Sequence, residues 1–191
     1  MKEPILYKIL RPVITVLFKG IYRPTIIGKE NILDDVGVVL AGNHTNYFDS
    51  ALLISSTKRV VHFMAKEELS KGIFSFIFKN MGLIFVNRKV KDKKSLCSAI
   101  KYLENDKVIG IFPEGTINRT DDVIMPFKYG AVKMANVSDS FLVPFVIKGK
   151  YKIFRKGITI MFYKPYKVND DLEKENKKLE EIISKGIVKR R

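Results

Sequence analysis

Residues 5–21 form the most apolar region of the chain, interrupted by Lys8, Arg11, Thr15 and Lys19 at spacings of three and four. That spacing gathers the polar groups on one stripe of a helix and leaves the rest of the circumference to Ile, Leu, Val and Phe. Pro12 interrupts the pattern, because a proline inside a helix removes a backbone hydrogen bond and crowds the preceding turn. The expectation is a short amphipathic two-helix element, with residues 1–24 set apart from the rest of the chain. A stretch such as 13–18 would rise only about 9 Å as a helix, against ~30 Å for a bilayer's hydrocarbon core, so it cannot span one. A basic amphipathic pair suits a membrane interface; the alternative is that its apolar face packs onto the protein's own core. Lys8 and Arg11 break the apolar region and no small-residue cleavage site follows, which argues against a secretory signal.

From residue 25 onward, short apolar runs alternate with helical patterns. Strands are expected near 25–27, 36–41, 60–65, 83–86, 108–112, 141–147 and 158–163, and helices over 50–56, 72–81, 93–105 and 129–137. Strands that are apolar throughout and separated by helices predict an α/β fold, a largely parallel mixed sheet with helices on both faces. The length allows one sizeable core, so 25–191 reads as one domain. Its charged tail, 170–191, carries Leu172, Leu179, Ile182 and Ile183 and predicts a surface helix. In such a sheet ligands gather where strands end. Four polar segments stand at those places: 43–49, Asn87-Arg88, 113–120 and the kink at Pro144.

Composition narrows the chemistry. Thirty-five Lys and Arg against twenty Asp and Glu leave a formal charge of +15. The surface should therefore attract anionic headgroups, an acidic carrier protein, phosphorylated substrates or nucleic acid. No nucleic-acid partner is expected, because the lysines are spread rather than set between stacking aromatics and no recognition motif is present. The single Cys97 excludes an internal disulfide, fits a reducing compartment, and beside Leu96, Ile100 and Leu103 is expected to pack. With His44 and His62 the only histidines, a metal site is not expected, and neither is a cofactor. His62, inside the strand-like VVHFMA, reads as a satisfied core or sheet-face residue.

The stretch 43–49, NHTNYFD, is the candidate for chemistry. In a continuous helix, five residues turn by roughly 500°, which would point His44 and Asp49 to different faces. A strand, a polar turn and a helix beginning near Asp49 would bring them together, and a histidine held by a carboxylate is a ready general base. On this stretch alone, an ordinary loop histidine followed by a helix N-cap serves equally well.

Four blocks extend the picture: His44 through Asp49, GLIFVNR ending at Arg88, FPEGT from Phe112 to Thr116, and Val143-Pro144-Phe145. In order and spacing they match those of the glycerolipid acyltransferase family, which the chain resembles over about residues 36–150. The connecting pieces 64–69 and 127–131 also resemble that family. In many relatives an arginine directly follows the threonine of the third block, whereas here Ile117 holds that place and Arg119 comes two residues later. The resemblance implies transfer of a fatty acyl group from acyl-CoA or an acyl carrier protein thioester to lysophosphatidic acid (1-acylglycerol-3-phosphate), giving phosphatidic acid in phospholipid biosynthesis. Glycerol-3-phosphate or another lysophospholipid is the alternative acceptor. It further implies a peripheral or monotopic enzyme on the cytoplasmic face of an anionic membrane.

On that reading His44 takes the proton from the acceptor hydroxyl and Asp49 fixes the imidazole tautomer. No nucleophilic serine is needed, and Ser50 is a helix-start residue. Arg88 is the first candidate for the acceptor phosphate, with Lys66 and Arg119 completing the pocket and Gly115 and Thr116 offering N–H and hydroxyl donors. Glu114, of the wrong sign for a phosphate, is assigned to the glycerol hydroxyl or to orienting an arginine. Backbone N–H groups near 143–146 are expected to stabilise the oxyanion. The basic run Lys148, Lys150, Lys152, Arg155 and Lys156 faces a carrier protein, lipid headgroups or solvent.

Overall fold

The computed structural model describes residues 3–73, 75–87, 90 and 92–189. At its centre lies β2 (Val38–Gly42), whose five residues are all buried, as an apolar run without alternation requires when both sheet faces are covered. It pairs in parallel with β5 (Val108–Ile111) on one side and with β6 (Phe141–Gly149) on the other. Beyond β5 lie β3 (Val61–Lys66) and β4 (Ile84–Val86), also parallel. Beyond β6 the direction reverses: β7 (Ile158–Phe162) returns antiparallel, and β1 (Thr25–Ile27) pairs parallel to β7. The order is β1-β7-β6-β2-β5-β3-β4, with a two-residue β8 (Tyr166–Lys167) pairing β6 antiparallel. The mixed, mostly parallel sheet is the one the sequence predicts. The short β8 is an addition that so brief a pattern does not announce.

Helices cover both faces. Val38 and Leu40 point toward α1 (Ile5–Tyr22) and α2 (Asp49–Ser56), in a core with Leu52, Leu53, Phe145 and Ile160. Val39 and Ala41 point the other way, toward α4 (Lys93–Leu103), α5 (Gly130–Val137) and α6 (Leu172–Val188), with Ile109, Met134, Leu179 and Ile183. A short α3 (Ser75–Asn80) sits against α1. On α4 the buried stripe is Ser95, Ala99 and Leu103, which turns Cys97 to the exposed side. The expected packing role for that thiol is thereby corrected.

The two-helix N-terminal element is also corrected: α1 is one helix with Pro12 inside it. Both Pro12 and Lys8, the residue whose carbonyl Pro12 leaves unpaired, lie on the exposed side, where solvent meets that carbonyl. The helix is pinned on either side of the break. The Tyr7 hydroxyl accepts from the Val61 N–H at 3.1 Å, and the Arg11 guanidinium donates twice to the Thr57 carbonyl, at 3.0 and 2.6 Å. One face, Tyr7, Leu10, Ile14 and Phe18, packs on the core, whereas Ile5, Ile9, Val13, Val16 and Leu17 are 51–76% exposed. The packing alternative therefore holds for one face of the helix, and the opposite face leaves an apolar stripe exposed. Among the described residues, no helix is long and apolar enough to cross a membrane.

Candidate active site

The site lies at the C-terminal ends of β2 and β5. Where β2 stops, the Asn43 side chain continues its pairing: the amide oxygen accepts from the Ile147 N–H at 2.8 Å and the amide nitrogen donates to the Ile147 carbonyl at 2.9 Å. This clamp ties the turn to β6 and sets the start of residues 44–48. His44 Nδ1 then stands 3.0 Å from Asp49 Oδ2. Asp49 is fully buried, yet its carboxylate is not the cap of α2, whose N-cap is Phe48. It reaches backward, accepting the Thr45 N–H at 2.6 Å and the Asn46 N–H at 2.8 Å on the oxygen that faces His44. Thr45 and Asn46 thus supply the bend that separates His44 from the helix and part of the desolvated carboxylate's hydrogen bonding. With Nδ1 against the carboxylate, the tautomer with the proton on Nδ1 is favoured and Nε2 is the basic nitrogen.

Three further contacts fix His44, one at its ring and two at its backbone. Its ring stacks on Phe112, with centroids 4.0 Å apart and planes 12° from parallel. The His44 backbone N–H donates to Glu114 Oε1 at 2.8 Å, and the His44 carbonyl accepts from the Asn118 N–H at 2.8 Å. Glu114, 4% exposed, accepts at its second oxygen from the Met125 N–H at 2.9 Å. Its carboxylate braces the histidine loop against residues 113–125, where a glycerol hydroxyl or an arginine was the expected partner. Burial raises its pKa, opposed by those N–H donors.

Tyr151, at the start of the β6–β7 connection, was not singled out by the sequence. Its hydroxyl donates to Asp49 Oδ1 at 2.6 Å, and its ring packs against Phe18, Tyr22 and Phe48. Burial and the adjacent Asp49 push its phenol far above the ordinary range, so it remains a donor at any working pH. A lone tyrosine in a basic run carries no signal in sequence, because its partner lies 102 residues away.

The remaining candidates are distributed around this pair. Gly115 sits at φ 75°, a left-handed turn that favours glycine, and Lys128 Nζ stands only 3.0 Å from where a Cβ would be. Lys128, like Tyr151, carries no sequence signal that marks it as a site residue. Thr116 is exposed in the same turn. Arg119 is held over the His44 turn by a 3.0 Å bond to the Tyr47 hydroxyl. Lys66, exposed, ends β3 opposite Val86 of β4. Arg88 lies outside the described residues. A cleft of about 410 Å³ opens beside the third block, walled by Met64, Val86, Leu96, Ile111 and Phe112 and edged by Lys128 and Lys133. The residues expected to supply oxyanion donors, 143–146, lie buried within β6, where ladders to β2 and β7 engage that strand's backbone, so that expectation is corrected.

A model of the acyltransferase family matches residues 23–148. The 1-acyl-sn-glycerol-3-phosphate acyltransferase of Bacillus subtilis is 34% identical over 138 residues, covering 69% of this chain and 67% of its own length. Its namesake from Borreliella burgdorferi is 32% identical over 178 residues, covering 86% and 70% respectively. In fold, the crystal structure of the 1-acyl-sn-glycerophosphate acyltransferase PlsC from Thermotoga maritima superposes with a TM-score of 0.72 at 24% identity, covering 95% of this chain and 76% of that one.

Proposed function

The chain belongs to the acyltransferase family, and on that premise we propose that it acylates lysophosphatidic acid to phosphatidic acid, using the thioester of coenzyme A or of an acyl carrier protein. The observation that carries this reading is the buried, fully engaged Asp49 holding His44 at 3.0 Å at the ends of the central strands. The names of the relatives supply the acceptor.

In the reaction His44 Nε2 takes the proton of the acceptor hydroxyl while that oxygen adds to the thioester carbonyl carbon. The imidazolium formed is stabilised by Asp49. The tetrahedral adduct then collapses, the carbon–sulfur bond breaks, and the departing thiolate takes the proton back from His44. The hydroxyl attacks directly, so no acyl-enzyme is needed. The acceptor phosphate is assigned to the cationic surroundings of the third block, Arg119, Lys66 and Lys128, together with the turn at Gly115 and Thr116, and to Arg88 on the ground of its sequence block alone. The acyl chain is assigned to the apolar cleft lined by Met64, Leu96 and Ile111. The enzyme works at an anionic membrane surface, on the cytoplasmic side where its donors are made, with the exposed apolar face of α1 against lipid.

Purified protein given defined acyl-CoA and acyl carrier protein donors, with lysophosphatidic acid, glycerol-3-phosphate and other lysophospholipids in competition, tests the assignment. Phosphatidic acid as the main product supports it; preferential acylation of another acceptor overturns it.

A further inference from the structure

Between β6 and β7 the chain runs through residues 150–157, KYKIFRKG, which hold four cations and no acid. At the end of this excursion Ile153 and Phe154 are 63% and 64% exposed. The conformation is built. Gly149, at φ 93°, lets the neck close to a distance no Cβ would permit, with the Gly157 carbonyl at 2.0 Å from the ideal Cβ position. The Lys150 N–H donates to that same carbonyl at 2.9 Å. Phe154 itself sits at φ 55°, a left-handed conformation that is costly for a bulky residue. Its N–H is fixed to the Ile21 carbonyl in the last turn of α1, at 2.5 Å. A strained backbone, held at both neck and tip, thus presents an aromatic ring to solvent.

We propose that this tip is a second lipid-contacting element, which seats Ile153 and Phe154 among the acyl chains of an anionic membrane surface beside α1. The proposal rests on the interfacial reading above and adds a site to it. Two observations choose the partner. The exposed apolar stripe of α1 ends in Val16 and Leu17, about one turn before Ile21, so helix and tip meet where the helix surface is apolar. Lys150, Lys152, Arg155 and Lys156 flank the two apolar residues in sequence, all exposed, as are Lys19 and Arg23 at the helix end that the tip adjoins. Apolar residues flanked by long cationic side chains match the layering of acyl chains beneath anionic headgroups, where such side chains snorkel upward.

The tip also reaches the chemistry. Tyr151, three residues before Phe154, donates to Asp49, and its ring contacts Phe18 and Tyr22 of α1. Lipid seat and carboxylate are therefore joined by one hairpin.

The chain contains no tryptophan, so Phe154→Trp introduces a single reporter. With vesicles containing about one-third phosphatidylglycerol, the introduced indole is expected to blue-shift and to be quenched by bromine placed on the acyl chains. Ile153→Ser with Phe154→Ser should weaken partitioning to these vesicles at least tenfold with an unchanged unfolding midpoint. Lys150→Gln with Lys156→Gln should weaken it on anionic vesicles only. An indole that stays unquenched while the protein sediments with the vesicles overturns the proposal, as does unchanged partitioning of the serine double variant. Loss of binding to acyl carrier protein in the tip variants, with vesicle binding intact, also overturns it and assigns the tip to the carrier. A wild-type chain that binds vesicles through the tip but forms no phosphatidic acid would overturn the proposed function and uphold the lipid contact.

Discussion

The protein's two histidines are provided for in opposite ways. His44 follows the end of β2, with its side chain 18% exposed and its Nδ1 on a buried carboxylate. His62 lies inside β3, 1% exposed, with Nδ1 donating to the Gly82 carbonyl at 2.8 Å and the ring tilted on Tyr102 at 4.2 Å. Its Nε2 is buried, with no hydrogen-bond partner among the described residues. Both surroundings fix a tautomer, but they treat a proton differently. A carboxylate gains attraction as the ring charges, whereas burial lowers the His62 pKa. A working base therefore needs an orienting anion and an accessible second nitrogen, and only His44 has both.

Substitutions can break that contrast. The largest effect is expected from His44→Ala, a fall in kcat of roughly 10²–10⁴ with the unfolding midpoint nearly unchanged. Near-normal turnover would remove the distinction between the two rings. Asp49→Asn should approach the same loss, because an amide facing Nδ1 no longer stabilises the imidazolium. It should also cost about 1–3 kcal/mol of stability, measurable by urea denaturation, since Thr45, Asn46 and Tyr151 lose a charged acceptor. Tyr151→Phe keeps the ring packing and removes one donor from Asp49, and kcat is expected to drop about tenfold. An unchanged kcat would reduce Tyr151 to a packing residue.

The smallest catalytic effect belongs to His62→Gln, with turnover expected within about twofold. Its signature is in stability. Because the folded pKa of His62 lies below the ordinary 6.5, the unfolded chain binds more protons as the pH falls past that value. Wild-type stability should therefore be full above about pH 6.5 and decline below it. The variant's urea midpoint should lack this component of the decline, and an identical pH dependence in both proteins would contradict the assignment.

Much of this was legible because local patterns reported it. The uninterrupted apolar runs at 38–42 and 141–147 encode strands covered on both faces, and the five-residue interval from His44 to Asp49 encodes a required bend. What escaped depends on partners distant in sequence. Tyr151 meets Asp49 and Asn43 meets Ile147 across more than 100 residues, and no periodicity records either contact. The sign of Glu114 suggests a glycerol hydroxyl or an arginine as its partner, and only the fold shows its two backbone donors, the N–H groups of His44 and Met125. Pro12 predicts a break in sequence, because its exposed setting, which lets the helix continue, is a tertiary property. That setting also makes α1 part of the core through Tyr7 and Phe18, so membrane contact by its outer face is better probed by point changes at Val13 and Val16 than by removing the helix.

The Asn43 clamp has a kinematic consequence. It registers the base on β6 at Ile147, while Tyr151, four residues further along the same stretch of chain, registers the carboxylate. Base and orienting anion thus take their coordinates from one rail. A tilt of that rail carries both groups in the same sense, which makes their mutual spacing tolerant of movement at a yielding surface.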